Sequence, residues 1–178
     1  IPAVILGFIL DDFMEDYFNK PIVIALALIV YGVAFIYIER AHKNVEPKIN
    51  DFKELDFVTA IKIGLFQCLA LVPGTSRSGS TILGGLLVGT SRSIATEFSF
   101  FMGIPIMFGA SGLKLLKFGF HYSLAEFIIL LVGSVVSFVV SLFVIKFLLR
   151  YIKQHDFQAF GWYRIALGII VLGSLFFK

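Results

Sequence analysis

The chain alternates between long apolar runs and short polar clusters, and the lengths of the runs set what each can do. Residues 21–39 form an unbroken apolar stretch that opens on Pro21, where a missing N–H costs nothing at a helix start. The pattern predicts a helix of membrane-spanning length there, since crossing the hydrocarbon takes about 20 residues. Three more spans are predicted at 94–116, 123–149 and 161–177. Residues 1–10 are apolar but too short to cross, and the acidic stretch 11–20 (Asp11, Asp12, Glu15, Asp16) reads as a solvated loop, with a divalent-metal cluster as the alternative. The stretch 40–56 mixes Arg40, Lys43, Lys48 and Lys53 with four acids and reads as an aqueous loop, and 150–158 as a short polar one.

Residues 57–89 break this rhythm. Two half-length apolar pieces, 57–72 and 80–89, flank Val72-Pro73-Gly74-Thr75-Ser76-Arg77-Ser78-Gly79-Ser80-Thr81. Proline removes a backbone donor and glycine opens dihedrals that other residues avoid, so no helix runs through Pro73-Gly74. Irregular backbone beside a permanent cation is tolerated at membrane depth only where it is buried in protein or lines a wet cavity. Two short apolar arms around a polar breaker predict a re-entrant hairpin, with a single kinked crossing as the alternative. Counting basic residues by side separates them. With the hairpin re-entrant, Arg40, Lys43, Lys48, Lys53, Arg92, Lys146, Arg150, Lys153 and Arg164 share the cytoplasmic face, against Lys20, Lys114, Lys117 and Lys178 outside. That asymmetry fits the positive-inside rule.

Composition confirms the class. The chain is 58% hydrophobic and 15% charged, with a mean hydropathy of +0.94, whereas soluble domains carry about 25% charged residues. A formal charge of +3 is too small to point to nucleic acid. The single cysteine, Cys68, excludes an intrachain disulfide and reads as a small packing residue. His42, His121 and His155 show no metal-ligand spacing. Gly103, Gly109 and Gly112 permit close helix approach, and Gly133, Ser134, Ser137 and Ser141 form a small-residue packing stripe.

The breaker is where chemistry is expected. Arg77 offers a planar fork of donors suited to phosphate or carboxylate. Thr75, Ser76, Ser78, Ser80 and Thr81 add hydroxyls, while Gly74 and Gly79 free backbone N–H groups to face a ligand. A helix beginning near Ser80 would present its positive end. These parts favour a multiply charged oxyanion; the competing reading is a serine-rich hinge whose arginine snorkels to the interface. A nucleotide P-loop is excluded because Ser80 stands where that motif needs lysine. Glu97, the second ionisable group near membrane depth, is expected to pair with Arg77 or Arg92, to help hold a metal, or to sit partly solvated at a helix start.

The breaker resembles the Pro-Gly-x-Ser-Arg-Ser-Gly signature of the undecaprenyl-diphosphate phosphatases, the bacterial membrane enzymes linked to bacitracin resistance. The likeness extends through 64–71, 84–89, Glu97-Phe98-Ser99-Phe100 and Ile104-Pro105, and helix spacing carries it over essentially the whole chain. It implies an all-α polytopic membrane fold with a re-entrant helix pair, part of an inverted-repeat architecture. It also implies hydrolysis of undecaprenyl diphosphate to the monophosphate, recycling the lipid carrier of peptidoglycan synthesis in the bacterial plasma (inner) membrane. By the same resemblance Arg77 and Ser76 are the catalytic candidates. Gly74, Thr75, Ser76, Arg77, Ser78 and Gly79 would bind the diphosphate, a divalent metal (magnesium or calcium) would assist, and its ligands would lie mostly outside this chain. The implied partners are a polyprenyl diphosphate and membrane lipids, with no nucleic acid; a homodimer is compatible with this reading.

The chain also departs from the family. Neither the family's paired-glutamate motif nor its Ser-Ser-Thr-Gly-His run is present. Gln67 stands where the repeat logic would place a counterpart of the first glutamate, and an amide cannot take a proton. The chain therefore reads as the later two-thirds of such an enzyme, holding the arginine half of a site. A rival reading from another class is a lipid-phosphate transporter or flippase, since broken helices meeting at the midplane are a transporter hallmark. This exact polypeptide is predicted to bind phosphate weakly and to hydrolyse nothing; an Arg77-dependent release of phosphate from a polyprenyl diphosphate by the chain alone would refute that.

Overall fold

The computed structural model describes residues 2–43, 45–119 and 123–176, and its regular structure among them is helical apart from one isolated bridge. Seven α-helices follow in order: α1 (Pro2–Phe18), α2 (Pro21–Ala41), α3 (Phe57–Phe66), α4 (Arg77–Leu87), α5 (Arg92–Phe118), α6 (Leu124–Gln154) and α7 (Gln158–Phe176). A 3-10 turn at Phe52–Glu54 precedes α3, and a 3-10 segment, Gln67–Leu71, extends it. Helices α2, α5, α6 and α7 are each long and apolar enough to cross a membrane. The molecule is an all-α polytopic membrane protein.

Several expectations need correction. The stretch 11–20 is no loop: α1 runs to Phe18, because Asp and Glu do not break a helix and no proline intervenes between Pro2 and Pro21. The side chains of Asp11, Asp12, Glu15 and Asp16 lie outside the described residues, as do His121 and Lys178. Helix α6 continues through Arg150–Gln154, since hydropathy marks where lipid ends and not where helix ends. The stripe on α6 has no partner among the described residues: a Cβ on Gly133 would meet nothing within 4 Å, and the Ser134 hydroxyl donates to the Leu130 carbonyl. The same open space surrounds Gly109 and Gly112.

The tightest packing joins α2 and α7, which lie antiparallel. A Cβ on Gly32 would stand 2.7 Å from the Gly161 carbonyl oxygen, and one on Gly161 would stand 2.7 Å from the Gly32 carbonyl oxygen. Two turns along, a Cβ on Gly168 would stand 2.8 Å from the carbonyl oxygen of the buried Ala25. Small residues seven apart on each helix let the backbones touch.

Helices α3 and α4 fold against each other, with Gly84 seated on Phe66. The two ends of this hairpin meet. The Gly89 carbonyl after α4 accepts from the backbone N–H groups of Lys48 and Ile49, and Ser91 N–H donates to the Ile49 carbonyl (2.9, 3.2 and 2.9 Å). So the chain leaves α4 beside the loop from which it entered α3. Asp56 caps α3 by accepting from Thr59 N–H at 2.8 Å, and bonding to Thr59 holds its carboxyl below the usual carboxylate range.

At this end a core of Phe35, Ile82, Leu83, Leu86, Ala95, Ile152 and Phe157 joins α2, α4, α5 and α6. Beside it Glu39, only 2% exposed, accepts from the Arg92 Nε (3.0 Å) and Nη2 and from the Phe157 backbone N–H (3.1 Å). One carboxylate thus ties α2 to the start of α5 and to the α6–α7 turn.

Two outcomes follow from this packing. Gly161→Ile should force α2 and α7 apart and cost about 1–3 kcal/mol or more, read as a lowered melting temperature by the fluorescence of Trp162, the sequence's one tryptophan. Glu39→Gln leaves Arg92 without its counter-charge and should cost about 3 kcal/mol, read in the same melt.

Candidate functional site

The breaker occupies the turn between the 3-10 segment and α4. Gly74 adopts φ +94°, and a Cβ there would stand 2.6 Å from the Ile24 carbonyl oxygen of α2, so glycine is required on both counts. Thr75 is buried, and its hydroxyl lies 3.0 Å and 2.8 Å from the Leu69 and Val72 carbonyl oxygens to which it can donate. Ser76 is the one non-glycine residue with positive φ (+67°) among the described residues. Single left-handed residues of this kind persist only where the surroundings fix them, and they cluster at functional sites.

Helix α4 starts at Arg77, three residues earlier than the pattern indicated, because Ser76 acts as its N-cap: the Ser76 Oγ accepts from Gly79 N–H at 3.3 Å. With Ser80 N–H bonded to the Ser76 carbonyl (3.0 Å), the N–H groups of Arg77 and Ser78 are left as the helix's orphan donors. A helix N-terminus with free N–H groups is a ready anion site. Three of the five candidate hydroxyls are not available to it. Thr75 closes the turn, Ser80 donates to the Ser76 carbonyl (3.1 Å), and Thr81 donates to the Arg77 carbonyl (2.9 Å). Ser76, exposed and with its proton uncommitted, and half-buried Ser78 are the ones that remain.

The chain's inward arginines divide into two kinds. Arg92 is paired with Glu39, and Arg164 donates through Nη2 to the Gly74 carbonyl and lies over the Tyr31 ring at 5.8 Å. Arg77 is half-buried, with its Nη2 only 2.8 Å from where a Cβ on Gly103 would be. It has no hydrogen-bond acceptor and no carboxylate among the described residues. Glu97 does not pair with Arg77 or Arg92; it sits half-buried on α5 without an ion-pair partner among the described residues. Arg164, expected at the water face, instead reaches the breaker, which leaves eight cations against four in the count by side. A cation several residues inside an apolar helix was the available signal for such a role.

A cavity of about 270 Å³ flanks the breaker, with Ser76, Ser78 and Gly79 on one wall and Phe160, Tyr163 and Arg164 on another. A second, larger groove of about 740 Å³ runs between α1, α3 and α5, apolar but for Gln67, which is buried. No three His, Cys, Asp or Glu side chains come together among the described residues, so these residues do not by themselves fit a divalent ion. Neither described histidine serves the breaker: His42 is bonded to the Ile38 carbonyl and His155 stacks on Tyr151.

The family model "Bacitracin resistance protein BacA" matches residues 1–170. An undecaprenyl-diphosphatase of Enterococcus faecalis is 52% identical over 181 aligned residues, covering 100% of this chain and 66% of the relative. One of Streptococcus thermophilus is 55% identical over 175 residues, covering 97% of this chain and 61% of the relative. Undecaprenyl-diphosphatase 1 of Clostridioides difficile is 56% identical over 176 residues, covering 99% and 64%. The chain thus spans a little under two thirds of the length of the relatives it matches. With a match across nearly all of its residues and the family's breaker folded as an anion-ready helix start, the chain belongs to the bacitracin resistance protein BacA family.

Proposed function

We propose that this chain is the arginine-bearing part of an undecaprenyl-diphosphate phosphatase, which converts the lipid diphosphate to the monophosphate and inorganic phosphate in the bacterial plasma membrane. The observation that carries the reading is Arg77: a half-buried guanidinium with no counter-anion among the described residues, held against Gly103 on the first residue of a helix whose leading N–H groups are free. An unpaired cation away from water is costly, and a bound oxyanion would remove that cost. Phosphoryl transfer asks the protein mostly for positioning and charge stabilisation. Arg77 would hold the phosphate oxygens in a two-pronged bond, with the Arg77 and Ser78 N–H groups and the Ser76 and Ser78 hydroxyls closing on the remaining oxygens.

Ser76 acts here as a phosphate ligand. Its hydroxyl has no base beside it among the described residues, so the attacking group and the proton acceptor are not among them. The divalent cation, magnesium or calcium, belongs to the same proposal, with its ligands mostly outside this chain. The apolar groove between α1, α3 and α5 supports a lipid ligand, since its lining is apolar but for Gln67. In this reading α3 and α4 form a re-entrant hairpin whose tip is the breaker. The three relatives described above are named as diphosphatases, and none is named as a transporter.

In a polypeptide of the relatives' full length, Arg77→Ala should lower phosphate release from a polyprenyl diphosphate by about 10²–10³-fold while leaving the melting temperature near the parent's. Arg77→Lys should recover only part, because a point charge cannot replace the fork. Near-normal turnover by Arg77→Ala would overturn the assignment.

A further inference from the structure

Arg164 has no role in the anion site as described, yet it is the group that touches the breaker from the far end of the sequence. Its Nη2 donates to the Gly74 carbonyl, its guanidinium lies over Tyr31 of α2, and its Nε is buried with no partner among the described residues. The peptide unit that begins with that carbonyl continues into the Thr75 N–H, which donates to the Val72 carbonyl at 3.3 Å. Both polar ends of the Gly74–Thr75 peptide are therefore held, one by local chain and one by α7. This matters because the next residue is Ser76, in the left-handed region at φ +67°, and the one after is Arg77. A rotation of the Gly74–Thr75 peptide would carry the Ser76 cap and the Arg77 side chain with it.

We infer that Arg164 is a positioning residue for the anion site: it clamps the Gly74–Thr75 peptide so that Ser76 keeps its left-handed backbone and Arg77 stays seated against Gly103. The clamp suits arginine. A planar guanidinium donates in its plane to a carbonyl while its face rests on an aromatic ring, and a lysine ammonium does one or the other. The clamp also uses the fold's firmest contact, since Tyr31 and Arg164 neighbour Gly32 and Gly161, where α2 and α7 touch. The inference rests on Arg77 being the phosphate-binding group.

The test uses a polypeptide of the relatives' full length, with Arg164→Met, Arg164→Lys and Arg77→Ala assayed for kcat and KM on a polyprenyl diphosphate, each beside a thermal melt. Misplacement of a catalytic group by about 1 Å costs on the order of 10²-fold in rate, and a loss of that size in kcat is expected for Arg164→Met, with KM changing far less. Arg164→Lys should fall between Arg164→Met and the parent. Combining Arg164→Met with Arg77→Ala should lose little beyond Arg77→Ala alone, because both act through one element. A parent-like kcat per folded molecule in Arg164→Met, or activity lost only in proportion to folded protein, overturns the clamp. Should Arg164→Met fail to fold, Arg164→Lys decides: a reduced kcat supports the clamp and a parent-like kcat overturns it. Normal turnover by Arg77→Ala would instead sink the anion site, whereas an inactive Arg77→Ala beside unaffected Arg164 variants sinks the clamp alone.

Discussion

Backbone contact between two antiparallel helices underlies everything else in this molecule. Gly32 and Gly161 bring α2 and α7 together with no side chain between them, and Ala25 with Gly168 repeats the contact two turns away. In lipid the hydrophobic effect does not drive helices together, so close packing of this kind has to supply the attraction. The pair then serves as a platform. Helix α2 offers its Ile24 carbonyl and Ala27 as the floor beneath Gly74, and Phe35 as the wall beside Gly79. Helix α7 offers Arg164. An irregular stretch of backbone keeps a single shape here because it lies on two helices that cannot easily move apart.

Charge is distributed on the same logic. Glu39 is almost wholly buried and is satisfied by three donors from the start of α5 and the α6–α7 turn. Arg164 spends its charge on a carbonyl oxygen and an aromatic face. Both are costs that the surrounding structure meets internally. Arg77 differs because its neighbour is a glycine, which supplies room but no countercharge. Strain in the backbone at Ser76 and a cation at Arg77 with no counter-charge among the described residues fall on adjacent positions. Departures from local rules that gather in one place mark a functional site more strongly than either would alone.

Much of this was visible in the sequence. Unbroken apolar runs marked α2, α5, α6 and α7, and proline with glycine marked the breaker. Helix ends were harder to read: Arg150–Gln154 and the acidic end of α1 are polar yet helical, because polarity reports the solvent and not the backbone. The hydroxyls of Thr75, Ser80 and Thr81 looked like ligand donors, but each is taken up by a carbonyl within six residues. A list of donors in a sequence does not say which ones the backbone will consume. The partners of Glu39 and Arg164 lie 118 and 90 residues away for the contacts that matter, and no local pattern reports such pairings. Arg164 did carry a hint, as a cation four residues into the apolar run 161–177.

Those separations bear on the order of events as the chain is made. Synthesis runs from the amino end, so Pro73-Gly74 and Arg77 are complete long before Phe157 and Arg164 leave the ribosome. Until then the Gly74 carbonyl lacks its donor, Glu39 lacks the Phe157 N–H, and Gly32 faces no Gly161. Contacts that close long loops form late, and here they close on α7. A nascent chain stopped before α7 would carry every residue of the breaker in the right order and still have no ordered site. Maturation of the anion pocket is thereby tied to the synthesis of α7.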